Sequence, residues 1–159
     1  MASMFNLEEI IEKIIAESGC YCEAYPNIIN DETILIPADQ LHAVMSVLRD
    51  HFGIYHLSTI TAQVRESEAD ESIIELFYHF WYLYQPGDGR GISLMIQLPL
   101  NKPNIDSIIS QIPGADFYER EVAEMFGVTF KGRAETPKLL LPDQWDKGPP
   151  FIRSEVSDE

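Results

Sequence analysis

Three long extended runs constrain the fold of this chain more than any other feature. They cover residues 54–64, 73–84 and 91–98 and are rich in β-branched and aromatic residues. An acidic loop over residues 66–71 joins the first pair, and the glycine-rich segment 86–91 joins the second. Because connections this short join antiparallel neighbours, the three runs predict an antiparallel meander with a hairpin loop at 86–91.

The middle run predicts a sheet that is covered on both faces. A strand with one solvated face alternates apolar and polar residues, whereas this run is apolar on both sides. One face carries Phe77, Trp81 and Leu83, and the other carries Ile74, Leu76, Tyr78, Phe80, Tyr82 and Tyr84. We expect two helices on one face, and either the C-terminal segments or another subunit on the other.

Two amphipathic helices precede the meander. A capping box of Asn6 and Glu9 starts the first helix, and Gly19 ends it. Pro37 starts the second helix, and Gly53 ends it. Their core-facing residues repeat at the helical period and are Leu7, Ile10, Ile11, Ile14 and Ile15 in the first, and Leu41, Val44, Met45, Leu48 and Phe52 in the second.

Two short extended segments, residues 20–25 and 33–36, lie between these helices. Turn residues at Pro26-Asn27 and at Asn30-Asp31 separate them, so we expect a hairpin.

The sequence after the meander predicts two more helices and an extended tail. Residues 103–112 place isoleucines at helical spacing, and Asp116 with Glu119 predicts a capping box at the start of a helix that Gly127 ends. Residues 133–159 alternate prolines with large apolar side chains. Such a segment has too little periodicity to fold alone, so we expect it to lie against a surface.

Composition narrows the classes of function. The 159 residues include 11 Lys plus Arg against 26 Asp plus Glu, a formal net charge of −15, which would repel nucleic acid and anionic lipid. No apolar run approaches the roughly 18 to 20 residues that cross a bilayer, and the N-terminus lacks a basic region followed by an apolar one. We therefore expect a cytoplasmic protein that binds no nucleic acid and does not insert into the membrane.

The cysteines, histidines and glycines indicate no self-sufficient site. Cys20 and Cys22 are the only cysteines, and we expect no disulfide between them. Iron–sulfur and structural zinc sites need about four ligands, mostly thiolates, which this chain alone does not supply. The four histidines lack the spacing of a zinc motif, and the glycines at 86–91 lie between extended runs, so a hairpin is favoured over a phosphate-binding loop. We expect no cofactor in this chain.

Three acids in the last predicted helix are the strongest catalytic candidates. Glu119, Glu121 and Glu124 could perform acid–base chemistry or bind metal. Di-metal sites of this kind need Glu-x-x-His pairs on two helices, and this segment has no histidine. Capping and ion pairing, such as Arg120 with Glu124, are the favoured roles.

The segment YEREVAEMFG from Tyr118 to Gly127, followed by Phe130-Lys-Gly132 and by LLLPDQW ending at Trp145, resembles a known family. It is similar to the 30 kDa, or C, subunit of respiratory complex I, an NADH:quinone oxidoreductase, and to its relatives in membrane-bound, energy-converting nickel–iron hydrogenases. The resemblance implies an α+β fold, a two-layer sandwich with an α-β-β-α-β-β-β order on a mixed sheet, followed by short helices and an extended C-terminal tail. Residues 1–100 would form the core domain, residues 101–132 a helical signature segment packed on it, and residues 133–159 the proline-rich tail.

The resemblance also implies a subunit without an active site of its own. Such a protein clamps the large, D-like subunit and the small, B-like iron–sulfur subunit of the complex, through which electrons pass, at the inner face of the cell membrane. The residues that would contact these partners are Glu119, Arg120, Glu121, Met125, Phe126, Gly127, Phe130, Gly132, Leu140, Leu141, Pro142 and Trp145. Large aromatic anchors and hydrogen-bonded ion pairs suit such a contact.

The chain departs from the family pattern mainly in its charges. Family members commonly have Asp at the position of Glu124 and His-Pro at the position of Arg133-Ala134. They commonly have two arginines at the position of Pro137-Lys138. A closing basic–acidic pair is replaced here by Arg153-Ser154-Glu155.

We therefore expect a non-catalytic, peripheral-arm subunit of a complex I-like oxidoreductase, or the equivalent subunit of a membrane-bound hydrogenase. One rival is an independent metal-dependent enzyme that uses Glu119, Glu121 and Glu124. Another is a free acidic adaptor that binds a basic partner through charge alone.

Overall fold

A computed structural model describes residues 5–26, 32–65, 72–85 and 87–152 of the chain. The predicted turn at Asn30-Asp31, the predicted loop at 66–71 and the segment Arg153-Ser154-Glu155 lie outside the described residues. The elements, in chain order, are α1 Leu7–Ser18, β1 Glu23–Ala24, β2 Glu32–Leu35, a 3-10 turn Ala38–Gln40, α2 Leu41–Phe52, β3 His56–Arg65, β4 Ile73–Gln85, β5 Asp88–Pro99, β6 Asn104–Asp106, α3 Ala115–Phe126 and β7 Thr129–Lys131.

The main sheet has five strands in the order β1-β2-β5-β4-β3. Strands β3, β4 and β5 pair antiparallel, which confirms the meander, and β1 pairs antiparallel with β2, which confirms the hairpin pairing. Strand β2 pairs parallel with β5 and makes the sheet mixed. The predicted α+β class on a mixed sheet is therefore confirmed.

Both predicted N-terminal helices form, but the second begins as the 3-10 turn Ala38–Gln40 and becomes α-helical only at Leu41. The Asn6 side chain accepts from the Glu9 N–H at 2.8 Å, and the Glu9 carboxylate accepts from the Asn6 N–H at 3.2 Å, so the predicted capping box starts α1. Gly19 and Gly53 end α1 and α2 in the left-handed conformation, each with φ of 67°, which glycine adopts without strain.

The sheet has an inner face on which the core is built. Strand register places alternate residues of the paired strands on this face, and the buried side chains there include Ile60, Ile74, Leu76, Tyr78, Phe80, Tyr82, Ile92, Leu94 and Ile96. Ile10 and Ile14 of α1, Leu41 and Leu48 of α2, and Val122 of α3 join the same cluster. All three helices therefore bury their apolar faces in one core with this side of the sheet.

The outer face of the sheet departs from the prediction that both faces are covered. Phe77, Trp81 and Leu83 lie on this face as predicted, but Trp81 is 47% exposed and Leu83 is 72% exposed. The hydrophobic core of the described residues does not include any of these three side chains. Within the described part of the chain, the helices and the tail leave the strand end around Trp81 and Leu83 open.

Trp81 packs against a glycine of the neighbouring strand. A Cβ atom added to Gly89 would lie 2.0 Å from Cζ2 of the Trp81 ring, so the ring occupies the space that a side chain would fill. The turn between β4 and β5 contains Gly87 with φ of 87°, which confirms a hairpin rather than a phosphate-binding loop at this position.

Residues 103–112 do not form the predicted helix. Residues 104–106 form β6, which pairs parallel with β7, and the Ser107 N–H donates to the Lys131 carbonyl at 2.8 Å. The Ile108 N–H, which a helix would direct to a carbonyl, donates instead to the Glu119 carboxylate at 2.7 Å. The isoleucine spacing is misleading because Ile105 and Ile108 are buried by strand pairing and a turn rather than by one helix face.

The two cysteines form no disulfide, as predicted, but they do not lie in a strand. The first strand begins only at Glu23, and both thiols are buried in the core. Burial, followed by the neighbouring Cys20, raises the pKa of Cys22 to about 11, so this thiol is protonated at neutral pH.

Candidate interface on α3 and the C-terminal tail

Helix α3 carries most of the residues that the sequence selects. It begins after Gly114, and no side chain caps its first turn. The predicted capping box is therefore wrong: because the helix starts at Ala115, Asp116 lies inside the first turn and Glu119 lies beyond the capping position. Asp116 pairs with Arg120 inside the helix and with Arg133 outside it, and Glu119 has its partners outside the helix. Gly127 ends the helix with φ of 71°, as predicted.

Glu119 is the centre of a buried hydrogen-bond network. Its side chain has 0% exposure and accepts from Ser107 Oγ at 2.7 Å, from the Ile108 N–H at 2.7 Å and from the Arg133 guanidinium at 3.2 Å. Arg133 also pairs with Asp116. One carboxylate thus ties α3 to the turn before it and to the segment that follows β7.

Burial is the main influence on the charge of Glu119. It raises the pKa of Glu119 above its usual value, while the hydrogen bonds from Ser107 and Ile108 and the charge of Arg133 oppose the rise. The neighbouring hydroxyl of Tyr78 is buried, and burial, followed by the charge of Glu119, raises the pKa of Tyr78 as well. This network is internal to the described part of the chain.

Arg120 binds the tail rather than its predicted partner. Its guanidinium lies 3.7 Å from the Asp116 carboxylate and donates to the Pro137 carbonyl at 2.9 Å. The guanidinium carbon also lies 5.9 Å from the centre of the Phe117 ring. The predicted ion pair of Arg120 with Glu124 is replaced by these contacts.

Glu124 binds the main chain of the leucine run, the three consecutive leucines at residues 139–141. Its carboxylate accepts from the main-chain N–H of Leu139, of Leu140 at 2.9 Å and of Leu141 at 3.0 Å. Burial works against ionisation of this group, but the three N–H donors and the charge of Arg120 outweigh it and lower the pKa of Glu124. Three successive N–H groups around one carboxylate form an anion-binding nest, and the anion here is the protein's own Glu124 side chain.

The rest of the tail, which the structure describes over residues 133–152, folds back on itself and on the end of α3. The Lys138 ammonium donates to the carbonyls of Pro142, Asp143 and Trp145 at 3.2, 3.4 and 2.7 Å, and the Trp145 indole donates to the Gly148 carbonyl at 2.6 Å. Contacts within the tail itself therefore hold its shape over this stretch.

An aromatic contact closes the far end of the tail. The rings of Phe126 and Phe151 lie 5.3 Å apart, and the Phe151 N–H donates to the Met125 carbonyl at 3.0 Å. A Cβ atom at Gly127 would lie 2.9 Å from Cγ of Pro149, so the glycine is needed for close approach as well as for its positive φ.

The predicted contact residues fall into three groups. Glu119 and Phe130 are buried within the chain, and the half-buried group comprises Arg120, Met125, Phe126, Gly127, Leu141 and Trp145. The exposed group comprises Glu121, Gly132, Leu140 and Pro142. Sequence reasoning did not select Phe117, at 61% exposure, or Phe151, at 57%, although a large aromatic on the polar side of the helix period could have indicated the former.

The same reasoning assigned no structural role to Arg133 and Lys138. In the structure both bind the chain's own acceptors. Arg133 lies 14 positions from Glu119 in the sequence, so no local sequence pattern indicates this ion pair.

The three acids of α3 that were the catalytic candidates, Glu119, Glu121 and Glu124, do not converge on one point. Glu119 faces Ser107 in the core, Glu124 faces the leucine run, and Glu121 is exposed. Over the described ranges, no group of three or more His, Cys, Asp or Glu side chains is arranged to hold a metal ion. In the same part of the chain, no helix has the length and apolar character needed to span a bilayer.

The fold and this segment together define a two-layer α+β domain whose signature helix is fastened to an extended tail. Residues 34–157 match the family described as the respiratory-chain NADH dehydrogenase, 30 kDa subunit, and the chain belongs to this family. This confirms the resemblance drawn from the YEREVAEMFG segment.

Several relatives belong to NADH-quinone oxidoreductases. The C subunit of the enzyme from Moorella thermoacetica is 31% identical over 112 residues, which cover 70% of this chain and 72% of that protein. The C subunit from Saccharopolyspora erythraea is 26% identical over 85% of this chain, which spans only 55% of that protein. The C/D subunit from Methylococcus capsulatus is 31% identical over 74% of this chain and 21% of its own length.

Solved structures share the fold. A chain of a membrane-bound sulfane sulfur reductase, an archaeal respiratory membrane complex, superposes with a TM-score of 0.65 at 24% identity, covering 91% of this chain and 80% of that one. A trypsin-resistant fragment of Nqo5 superposes with a TM-score of 0.62 at 21% identity, covering 82% of this chain and 98% of the fragment. At 24% and 21% identity, these superpositions show a shared fold and nothing more.

Proposed function

We propose that this protein is a non-catalytic subunit of a complex I-like NADH:quinone oxidoreductase, in which it holds the large, D-like subunit and the small, cluster-bearing B-like subunit in place. Family membership and the names of the relatives support the kind of complex. Electrons would pass through the partners, and this chain would carry no cofactor. In the proposal it is cytoplasmic and reaches the inner face of the membrane only through the complex.

One observation carries the binding role. The acids and cations of α3 hold the tail, as Glu124 and Arg120 do, instead of converging on a reactive centre. Apolar side chains of the same segments, Phe117, Leu140 and Phe151, are left more than half exposed. Exposed aromatic and aliphatic groups on a pre-ordered scaffold are typical of protein contact sites.

The contact set predicted from the sequence becomes part of this proposal in a refined form. Direct contacts would come from the exposed and half-buried members, including Phe126 and Trp145. Glu119 and Phe130 would act from beneath by fixing α3 and β7. The proposal keeps the division into a core domain over residues 1–100, a signature segment over 101–132 and a tail over 133–159.

The test is co-purification of the assembled complex from cells that express tagged variants. Phe126→Ala and Trp145→Ala should reduce recovery of the large subunit, and Leu140→Glu should do so without disturbing the isolated fold, because Leu140 is 57% exposed. Tyr55→Ala, at 66% exposure and outside α3 and the tail, is the matched control. Unchanged recovery for all three variants would contradict the placement of the contact.

A membrane-bound hydrogenase subunit is the second candidate. Glu124 fits this branch as well as it fits the complex I branch. Mass spectrometry of the native complex separates the two, because a large subunit with nickel-binding cysteines means a hydrogenase and one without them means quinone reduction.

A further inference from the structure

Main-chain carbonyl groups of the turn at residues 142–145 converge on a single positive charge. The Lys138 ammonium donates to the carbonyl oxygens of Pro142, Asp143 and Trp145 at 3.2, 3.4 and 2.7 Å. An ammonium group has three N–H donors and no acceptor, so these three oxygens match its capacity. Among the described residues, no carboxylate lies within ion-pairing distance of Lys138.

This arrangement is that of a cation among carbonyl ligands rather than that of an ion pair. Main-chain carbonyl oxygens replace the hydration shell of K⁺ in selectivity filters and contribute to calcium sites. The three oxygens here lie 2.7 to 3.4 Å from the Lys138 nitrogen, farther than the roughly 2.3–2.6 Å at which oxygen binds Ca²⁺. The geometry therefore suits a large monovalent cation of ammonium type.

The convergence of three carbonyl dipoles favours a positive charge at their centre. The oxygen atoms carry partial negative charge and repel one another, so a cation between them stabilises this shape of the turn. The formal net charge of −15 on the whole chain acts in the same direction. Lys138 supplies the cation from a position four residues before Pro142.

The same turn fixes Trp145, one of the predicted contact residues. The Trp145 N–H donates to the Pro142 carbonyl at 2.9 Å, and its indole N–H donates to the Gly148 carbonyl at 2.6 Å. Because the Trp145 carbonyl accepts from Lys138, every polar group of this residue is bound within residues 138–148. The side chain is only half-buried, and a ring that is already ordered loses little conformational freedom when it binds a partner.

We propose that residues 142–145 form a main-chain site for a monovalent cation, that the Lys138 ammonium is the occupant of this site, and that Lys138 is thereby a positioning residue for Trp145. The cation site is a property of the free chain. Only the use of Trp145 in partner binding rests on the proposed function. Lys138 acts through the turn rather than by contacting the partner.

Chemical rescue of a lysine variant tests the cation site. Lys138→Met keeps a long unbranched side chain but removes the ammonium. Hydrogen exchange of the Trp145 main-chain and indole N–H groups, measured by NMR on the full-length chain, should become at least about tenfold faster. Ammonium chloride at constant pH should slow the exchange again. Tetramethylammonium chloride at the same concentration should not, because this larger ion has no N–H donor.

A second lysine of the tail provides the matched control. Lys147→Met removes an exposed lysine close to Trp145 and should leave exchange at the wild-type rate. Wild-type exchange in Lys138→Met would overturn the cation site. An effect of ammonium no larger than that of tetramethylammonium would overturn it as well, because the lysine would then act by something other than its charge.

Co-purification of the assembled complex tests the positioning role. Lys138→Met should reduce recovery of the large subunit, and ammonium chloride should restore it, whereas the same salt should not restore recovery for Trp145→Ala. A loss with Trp145→Ala but not with Lys138→Met would overturn the positioning role and leave the proposed function standing. Unchanged recovery with Trp145→Ala would remove the positioning role together with the proposed contact, while the exchange measurements would still decide the cation site.

Discussion

The carboxylate of Glu124 in α3 accepts a hydrogen bond from the main-chain N–H of Leu141 at 3.0 Å, although the two residues are 17 positions apart. The same carboxylate accepts from Leu139 and Leu140. A single acid therefore sets the path of the tail over three consecutive residues. Glu124, an acid of α3, therefore has a structural role, which is to hold the tail against the helix.

Removing that acceptor should loosen the tail. Glu124→Gln keeps the shape of the side chain but loses its charge and directs an amide N–H₂ toward N–H donors, which should weaken local attachment by about 1–3 kcal/mol. Trypsin cleavage after Lys138 should accelerate accordingly. The matched control is Glu121→Gln, exposed on the same helix, which should be cleaved at the wild-type rate. Equal rates for both variants would show that the nest does not hold the tail.

Acid should have the same effect as that substitution. The pKa of Glu124 is lowered in the folded protein, so its contribution to stability is present above the usual carboxyl value of 4.5 and is lost as the pH falls through the lowered pKa. Amide hydrogen exchange at Leu139 to Leu141, corrected for the intrinsic pH dependence, should lose protection as the pH falls from 4.5 through the lowered pKa of Glu124. Protection that stays constant from neutral pH to strongly acidic pH would contradict this account.

Arg133 should be among the more costly residues of the tail to replace. Arg133→Ala leaves the buried Glu119 carboxylate without its cation, which should cost about 3 kcal/mol of unfolding free energy. Adding Glu119→Gln should recover part of the loss, because the uncompensated charge is then removed. Lys13→Ala breaks an exposed pair with Glu17, which solvent screens, so its effect on stability should be small. Urea unfolding measures all of these variants, and a strictly additive double variant would refute the coupling.

The contact between Trp81 and Gly89 makes a separate prediction about the sheet. Gly89→Ala places a methyl group in the space occupied by the ring, which should cost about 1–3 kcal/mol and shift the tryptophan fluorescence as the ring moves. Combining it with Trp81→Ala should remove most of that cost. Gly114→Ala is the control, since a Cβ there meets nothing within 4 Å and its φ is ordinary.

The sequence predicted the features that depend on local patterns. The capping box at Asn6, the helix ends at Gly19 and Gly53 and the meander all follow from residue spacing and turn residues, and all are present. The failed helix at 103–112 has a physical cause that lies elsewhere in the chain. The N–H groups of Ser107 and Ile108 donate to Lys131 and Glu119, which no local window contains.

The candidate interface shows the same division between local and distant information. Its residue types were recognisable, but the partners of Arg120, Glu124 and Arg133 were not, because each pair joins α3 to a tail without periodicity. The outer face of the sheet was expected to be covered because β4 is apolar on both sides. The described residues leave that cover incomplete around Trp81 and Leu83.

The parallel pairing of β2 with β5 has a consequence for how the protein forms during synthesis. Thr33 pairs with Ser93, and Ile34 with Leu94, so β2 leaves the ribosome well before the strand that completes it. Each antiparallel pair of the meander can close as soon as its own hairpin is made, whereas β2 must wait for all three of those strands. During that interval the edge of β2 and the side chain of Ile34 are unprotected, and association with a chaperone or aggregation would compete with folding at this point.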